Sequence, residues 1–306
     1  MLMKEVAVKA YGKLNLSLNV TGFSDGYHEL DTVVTTVNLS DDIIVRERKD
    51  DKILVSFEGR YGFIPKFQEA TNAYKAADAF IKKFQVNGVD VIINRNIPIG
   101  GGMGGSSADI SGTLKALKRL YKIKDDVKDI ADKLGSDSGY LLSGGFSRLK
   151  GRGEIVEKIS GSEDLFFVAL FAKRGVNAKE CYSLFDKMSD KIAPSDTEGV
   201  LKAVSEGDLK LLKECSRNML MPPAVLLNEE ISENMAILNE LSPPFCGMTG
   251  SGSAVFAAFN DAEFARWAKD RIFKKRDKLA EILYPHDPEK PSFFDLIFQK
   301  DGKTYQ

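Results

Sequence analysis

The first 60 residues alternate between apolar and polar positions, a pattern that is typical of half-buried strands. Leucine or valine occupies every second position from 14 to 20, and short apolar runs at 33–37, 43–45 and 53–57 predict further strands. The Asp25-Gly26 dipeptide between them favours a tight turn. The beginning of the chain is therefore predicted to be rich in β-structure.

Apolar residues recur at three- and four-residue spacing through much of the remaining chain, which predicts amphipathic helices. The predicted helices cover 71–84, 107–120, 127–134, 178–187, 197–205, 209–220, 229–241 and 264–275. Apolar runs at 89–93 and 165–171 predict two more strands. We predict an α+β protein of two units that share an interface. The units are residues 1–155 and 156–276, and a tail of unknown role follows at 277–306.

Composition excludes several classes of protein. With 43% hydrophobic and 28% charged residues, the 306-residue chain has the make-up of a soluble globular protein. Its formal net charge of −1 argues against a nucleic-acid partner, which would need a basic surface. Two histidines and three scattered cysteines exclude a multi-histidine metal site and a disulfide framework. We find no signal peptide and no apolar run long enough for a membrane helix, so we expect a cytoplasmic protein without a membrane partner.

Glycine dominates the segment between the predicted strand at 89–93 and the predicted helix at 107–120. Five of the six residues at 100–105 are glycines, and Ser106 and Ser107 follow. Glycine lets backbone N–H groups approach an anion closely, and a helix N-terminus adds unpaired donors and a positive dipole end. A tight structural connection would need fewer glycines, so the segment predicts a phosphate-binding loop. The serine hydroxyls can contact phosphate or Mg²⁺, and they can also cap the helix.

Two familiar phosphate loops fit this segment less well. Gly100, Gly102 and Gly105 spell a dinucleotide-binding pattern, and Asp125 follows roughly 20 residues later. However, a long β-rich segment precedes the loop, and Asp125 lies in a polar run instead of ending a second apolar strand. A Walker A loop needs a lysine before its Ser or Thr, and none is present. If the loop is exposed, a valine at Gly102 is expected to abolish binding of the phosphate ligand while changing the stability of the unliganded protein little.

Three motifs in order resemble those of the GHMP kinases. PIGGGMGGSSAD at 98–109 resembles the P-x-x-x-G-L-G-S-S signature of the family, KLNLSLNV at 13–20 its first motif, and GMTGSGSAVFA at 247–257 its third. The resemblance implies an N-terminal ribosomal-protein-S5-like half with the ATP loop and a C-terminal ferredoxin-like half. It also implies ATP and Mg²⁺ as cofactors, with Ser107 as the candidate Mg²⁺ contact. The implied ATP-binding residues are Pro98, Gly100, Gly101, Gly102, Met103, Gly104, Gly105, Ser106 and Ser107.

The same resemblance implies that Lys13 and Asp137 form a catalytic pair. Phosphoryl transfer to an alcohol needs a group that accepts the hydroxyl proton and a cation that steadies the transferred group. Taken alone, Asp137 can equally be a turn or capping residue, and Asn15 can contact substrate or bridge two strands. The third motif implies substrate contacts from Thr249, Gly250, Ser251 and Gly252.

DGYHEL at 25–30 is the most specific segment of the chain. It resembles the members of the family whose small-molecule substrate carries a cytidine diphosphate. Tyr27 can stack on a pyrimidine and His28 can hydrogen-bond to its edge, so both are predicted to bind cytosine. The alternatives to a kinase of such a cytidine-containing substrate are a kinase of another small alcohol and a nucleotide-binding family member without kinase activity. We expect a monomer or a homodimer.

Overall fold

The structure, a computed structural model, describes residues 4–289. Its strands are β1 (Glu5–Asn15), β2 (Asn19–Ser24), β3 (Tyr27–Glu47), β4 (Ile53–Glu58), β5 (Val89–Asn94), β6 (Ser147–Gly151), β7 (Ile155–Lys158), β8 (Phe166–Leu170), β9 (Phe245–Met248), β10 (Val255–Phe259) and β11 (Ala280–Leu283). Its α-helices are α1 (Asn72–Phe84), α2 (Gly105–Tyr121), α3 (Lys128–Leu134), α4 (Ser138–Ser143), α5 (Ala178–Lys187), α6 (Thr197–Glu206), α7 (Leu209–Cys215), α8 (Met221–Leu227), α9 (Glu230–Asn239) and α10 (Ala262–Arg276). The α+β prediction is confirmed.

Strand β3 is the centre of the first sheet, which comprises β1 to β7 within residues 4–289. It pairs antiparallel with β1, β2, β5 and β6. The prediction of two strands at 33–37 and 43–45 is wrong, because one strand of 21 residues covers both. The intervening polar residues can remain in the strand because they find hydrogen-bond partners in neighbouring segments. Asp41 Oδ1, for example, accepts hydrogen bonds from the backbone N–H groups of Asn96 and Ile97 at 2.6 and 2.7 Å.

The alternation at 14–20 is not one strand. Strand β1 ends at Asn15 and β2 begins at Asn19. Leu14, Leu16 and Leu18 are all buried, as the pattern predicts. Between the strands, however, the backbone of Leu18 leaves the sheet and its N–H donates to the carbonyl of Arg217 at 2.9 Å. This link ties the first unit to the second beside the cleft described below.

Strands β8 to β11 form the second sheet, in which the spatial order is β11-β8-β10-β9 and every described pair is antiparallel. This is the βαββαβ order expected of a ferredoxin-like half, with α5 to α9 in the first connection and α10 in the second. The predicted helix at 209–220 is too long: α7 ends at Cys215, and the next residues turn to meet Leu18.

The division between the two sheets differs from the predicted boundary at 155. Strand β7 runs to Lys158 and belongs to the first sheet, and β11 lies in the segment that was assigned to the tail. We therefore propose a boundary at 159–165 and include 277–289 in the second unit. The rest of the predicted tail lies outside the described residues. The first core also contains Phe167 and Phe256 from the second sheet, so the units share a packed interface. None of the helices in the described range is long and apolar enough to cross a membrane.

Candidate active site

A cleft of about 950 Å³ brings most of the predicted site residues together. Both units line it. It collects the predicted catalytic pair, Asn15, the glycine loop, two DGYHEL residues and two residues of the third motif. The predicted residues that line it are Lys13, Asn15, Tyr27, His28, Pro98, Gly100, Gly101, Gly102, Met103, Gly104, Gly105, Ser106, Ser107, Asp137, Gly250 and Ser251. Two predicted substrate residues, Thr249 and Gly252, lie behind this surface. Gly252 packs against Met248 and Ile231.

The glycine loop ends at the N-terminus of α2, as the sequence predicts. The capping residue is Gly104 in the left-handed region at φ 75°, and no side chain caps the helix among the described residues. The two serines therefore do not cap the helix, which excludes one of the two roles that the sequence left open for them. Ser106 is exposed and Ser107 is half-buried at the first turn. The first N–H groups of a helix have no partner within it, so this end of α2 offers donors and a positive dipole to an anion.

The loop is held from behind by the third motif. Thr249 is fully buried, and its Oγ1 accepts a hydrogen bond from the N–H of Asn15 at 3.0 Å and donates to the carbonyl of Gly102 at 3.1 Å. A Cβ at Gly102 would overlap the carbonyl oxygen of Thr249, and φ is +73° there. The condition under which a valine at Gly102 would leave stability unchanged, an exposed loop, is therefore not met, because this position is a packing contact between two loops. The side chain of Met103 is also buried, so Met103 reaches the cleft through its backbone.

Lys13 and Asp137 face each other at the floor of the cleft. Lys13 Nζ lies 3.8 Å from Asp137 Oδ2 and donates a hydrogen bond to Asn15 Oδ1. Burial lowers the pKa of Lys13, and the nearby negative charge of Asp137 opposes that effect. Asp137 precedes α4 but does not cap it in the described structure, so its carboxylate stays available at the cleft. Asn15 also donates to Thr32 Oγ1 at 2.8 Å, and it thereby connects Lys13 to β3.

The DGYHEL residues line a different part of the same cleft. Asp25 and Gly26 form the predicted turn, both with positive φ, and Tyr27 and His28 start β3. Tyr27 is 52% exposed. His28 Nε2 lies 2.8 Å from Asp186 Oδ1 of α5, although the two residues are 158 positions apart. The two units therefore meet in a direct hydrogen bond at this place.

Three residues of this part of the cleft were missed by the sequence reasoning. Tyr182 stacks on His28 with ring centroids 4.6 Å apart, Asp186 bonds to it, and the guanidinium of Arg152 lies 4.6 Å from the ring centroid of Tyr27. The sequence does contain a signal for Tyr182 and Asp186. Tyr182 and Asp186 are four positions apart on a predicted helix, so they share one face. For Arg152 the sequence offers no such signal.

Comparisons with known proteins agree with this geometry. The family models GHMP kinases N terminal domain and GHMP kinases C terminal match residues 71–146 and 200–278. The 4-diphosphocytidyl-2-C-methyl-D-erythritol kinase of Alkaliphilus metalliredigens (strain QYMF) is 32% identical over 275 residues, which are 88% of this chain and 93% of that protein. The protein of the same name from Clostridium novyi (strain NT) is 33% identical over 83% of this chain and 90% of its own length.

Solved structures give the same answer for the fold. A crystal structure of 4-(cytidine 5'-diphospho)-2C-methyl-D-erythritol kinase superposes with a TM-score of 0.75 at 26% identity and covers 92% of this chain and 100% of that one. Homoserine kinase from Cytophaga hutchinsonii superposes with a TM-score of 0.73 at 17% identity, covering 94% of this chain and 96% of that one, and so shares the fold. With both family models matched and such relatives aligned over most of its length, the chain belongs to the GHMP kinases.

Proposed function

We propose that this protein is an ATP-dependent kinase that phosphorylates a hydroxyl group of 4-diphosphocytidyl-2-C-methyl-D-erythritol, a step of non-mevalonate isoprenoid precursor biosynthesis. The observation that carries the proposal is one cleft that holds three elements together. These are the glycine loop at the start of α2, the Lys13–Asp137 pair, and the aromatic group around His28. The names of the relatives supply the substrate that fits all three.

ATP would bind with its phosphates at the glycine loop. The free N–H groups at the start of α2 and the hydroxyls of Ser106 and Ser107 are the donors for them. The described residues contain no cluster of three His, Cys, Asp or Glu that could hold a metal ion. This fits Mg²⁺ that arrives on ATP, because Mg²⁺ keeps several waters and takes few protein ligands beside phosphates. Ser107 would be its protein contact, and the ion would offset phosphate charge.

Asp137 and Lys13 would serve the transfer itself. The substrate hydroxyl oxygen forms a bond to the γ-phosphorus, the bond from that phosphorus to the bridging oxygen breaks, and ADP leaves. The hydroxyl proton passes to the Asp137 carboxylate. The Lys13 ammonium holds Asp137 in place and stabilises negative charge on the transferred group. Asn15 and Thr249 would position Lys13 and the glycine loop for this step.

Arg152 would bind the diphosphate of the substrate. Its guanidinium stacks on Tyr27 and lines the cleft, and it makes no ion pair within residues 4–289. The neighbouring Gly153 packs against the backbone of Ser136, next to Asp137. Arg152 therefore lies between Tyr27, which is proposed to bind the cytosine, and Asp137, which is proposed to accept the proton of the reacting hydroxyl. An unpaired guanidinium matches a diphosphate in both charge and hydrogen-bond geometry.

Two alternatives are weaker. A kinase of another small alcohol would have no use for the base-binding group, and the two relatives at 32% and 33% sequence identity carry the same name, that of a kinase of a cytidine-containing substrate. A nucleotide-binding member without activity would not need the contact between the buried Lys13 and Asp137. The test is ATP consumption, coupled to ADP detection, with 4-diphosphocytidyl-methylerythritol, mevalonate, homoserine and galactose as acceptors. We expect turnover with the first alone. Turnover of a base-free alcohol at a similar rate would contradict the proposal.

A further inference from the structure

The two ring nitrogens of His28 lie in different surroundings. Nε2 is 2.8 Å from Asp186 Oδ1, whereas Nδ1 forms no hydrogen bond with the described part of the chain. Tyr182 stacks on the ring at 4.6 Å with an interplanar angle of 23°, and Phe23 meets it edge-on at 5.0 Å. The ring is therefore held in one orientation at the edge of the cleft, with one nitrogen bound to Asp186 and the other without a hydrogen-bond partner in the described part of the chain.

The partner of Nε2 decides what Nδ1 can do. An ionised carboxylate only accepts hydrogen bonds, so Nε2 carries the proton. In the neutral imidazole Nδ1 is then an acceptor. Cytosine and uracil differ at this kind of contact, because cytosine presents an exocyclic amino donor where uracil presents a carbonyl acceptor. An acceptor at Nδ1 pairs with the amino group and leaves the uracil carbonyl opposed and unpaired.

We propose that Asp186 is a specificity-determining residue that selects cytidine over uridine nucleotides by fixing the Nε2–H tautomer of His28. The inference rests on the proposed function, in which the cleft binds a cytidine nucleotide. Asp186 itself does not touch the base and is a positioning residue. It comes from α5 of the second unit, one helical turn after Tyr182, whereas His28 comes from β3 of the first. Base selection therefore needs both units in contact.

A binding experiment tests this directly. We would measure the Kd of CMP and of UMP by calorimetry at about pH 8 for the full chain and its variants. The wild type should bind CMP at least about tenfold more tightly than UMP, because a polar site rejects a ligand that leaves its groups unpaired. In Asp186→Asn the amide can donate to Nε2 or accept from it, so both tautomers form. The CMP preference should fall to about threefold or less.

Matched variants separate this effect from a general loss of structure. Asp190→Asn changes an exposed carboxylate shortly after α5 and should keep the wild-type ratio. Asp186→Glu keeps a carboxylate and should retain more of the CMP preference than Asp186→Asn. An Asp186→Asn protein with an unchanged ratio overturns the proposal.

The tautomer can also be observed. The chain has only two histidines, so a long-range ¹⁵N–¹H spectrum contains two imidazole patterns, and His28→Gln identifies the one from His28. The wild type should show the Nε2–H pattern, and Asp186→Asn should show a mixture. A wild type that binds no CMP contradicts the proposed function as well as the inference. A wild type that binds CMP, with an Asp186→Asn variant of unchanged tautomer and ratio, contradicts the inference alone.

Discussion

The ammonium nitrogen of Lys13 lies 3.8 Å from Oδ2 of Asp137, and the two side chains meet from different elements of the first unit. Lys13 comes from β1 and is buried, whereas Asp137 precedes α4 and is 28% exposed in its side chain. A buried cation beside a partly open carboxylate can hold that carboxylate towards a substrate in the cleft. The chemistry proposed here depends on this contact.

Replacing Asp137 by Asn should reduce kcat by about 10²–10⁴-fold, because the amide cannot accept the hydroxyl proton. ATP binding should persist, since the glycine loop is a separate element. The measurement is steady-state turnover together with calorimetric ATP binding. Asp125→Asn, which alters an exposed carboxylate beyond α2, is the control and should act like the wild type. A near-normal rate in folded Asp137→Asn removes Asp137 from the mechanism.

The rate should fall at alkaline pH as Lys13 loses its proton. Burial lowers the pKa of Lys13 below the 10.5 of a free lysine, so the loss should set in at a lower pH than for an exposed lysine. Asp137 raises the pKa of Lys13, so the residual activity of Asp137→Asn should decline at a lower pH than that of the wild type. A pH profile of kcat/KM measures both. If the rate declined at the same alkaline pH in both proteins, that result would contradict the electrostatic effect of Asp137 on Lys13.

Gly102→Ala should destabilise the unliganded protein by about 2–5 kcal/mol, since the new Cβ meets the Thr249 carbonyl and φ is positive. Gly26→Ala is the matched control. Gly26 also has positive φ, at +81°, but nothing lies within 4 Å of its added Cβ. It should lose only about 1–2 kcal/mol of backbone strain. Chemical denaturation gives both values. Equal losses of unfolding free energy in the two variants would show that the contact with Thr249 does not contribute to the effect.

Arg152→Gln should weaken CDP binding by about tenfold or more and leave the binding of cytidine, which has no phosphate, nearly unchanged. The comparison of the two ligands by calorimetry isolates the diphosphate contact. Lys150→Gln is the control, because Lys150 pairs with Glu157 at 2.7 Å and does not line the cleft. If Arg152→Gln weakens cytidine as much as CDP, Arg152 acts on the base through Tyr27.

Local patterns predicted the local parts of this structure well. The predicted helix at 178–187 coincides with α5, where Asn177 caps the first turn and the apolar face is clear. The phosphate loop was placed between β5 and α2 because glycine runs and helix starts are short-range signals. Strand β3 was divided in error, since nothing in a polar stretch reveals that its groups find partners in another segment.

Contacts between distant segments were the part that sequence could not supply. Asp186 reaches His28 across 158 positions, and no periodicity within either segment indicates that pairing. The packing of Gly102 on Thr249 is of the same kind, and no local pattern in the glycine-rich segment indicates it. The catalytic pair was anticipated only through the resemblance to a family, because Lys13 and Asp137 taken singly have ordinary structural interpretations.

The most direct measurement is a ³¹P NMR spectrum of the protein with ATP, Mg²⁺ and 4-diphosphocytidyl-methylerythritol. The account predicts that ATP is converted to ADP, that the diphosphate of the acceptor stays intact, and that one phosphate-monoester signal appears in equal amount. Asp137→Asn should show this signal only after a far longer incubation. A spectrum in which ATP yields free phosphate and no monoester, or in which a base-free alcohol is phosphorylated equally well, would contradict the account.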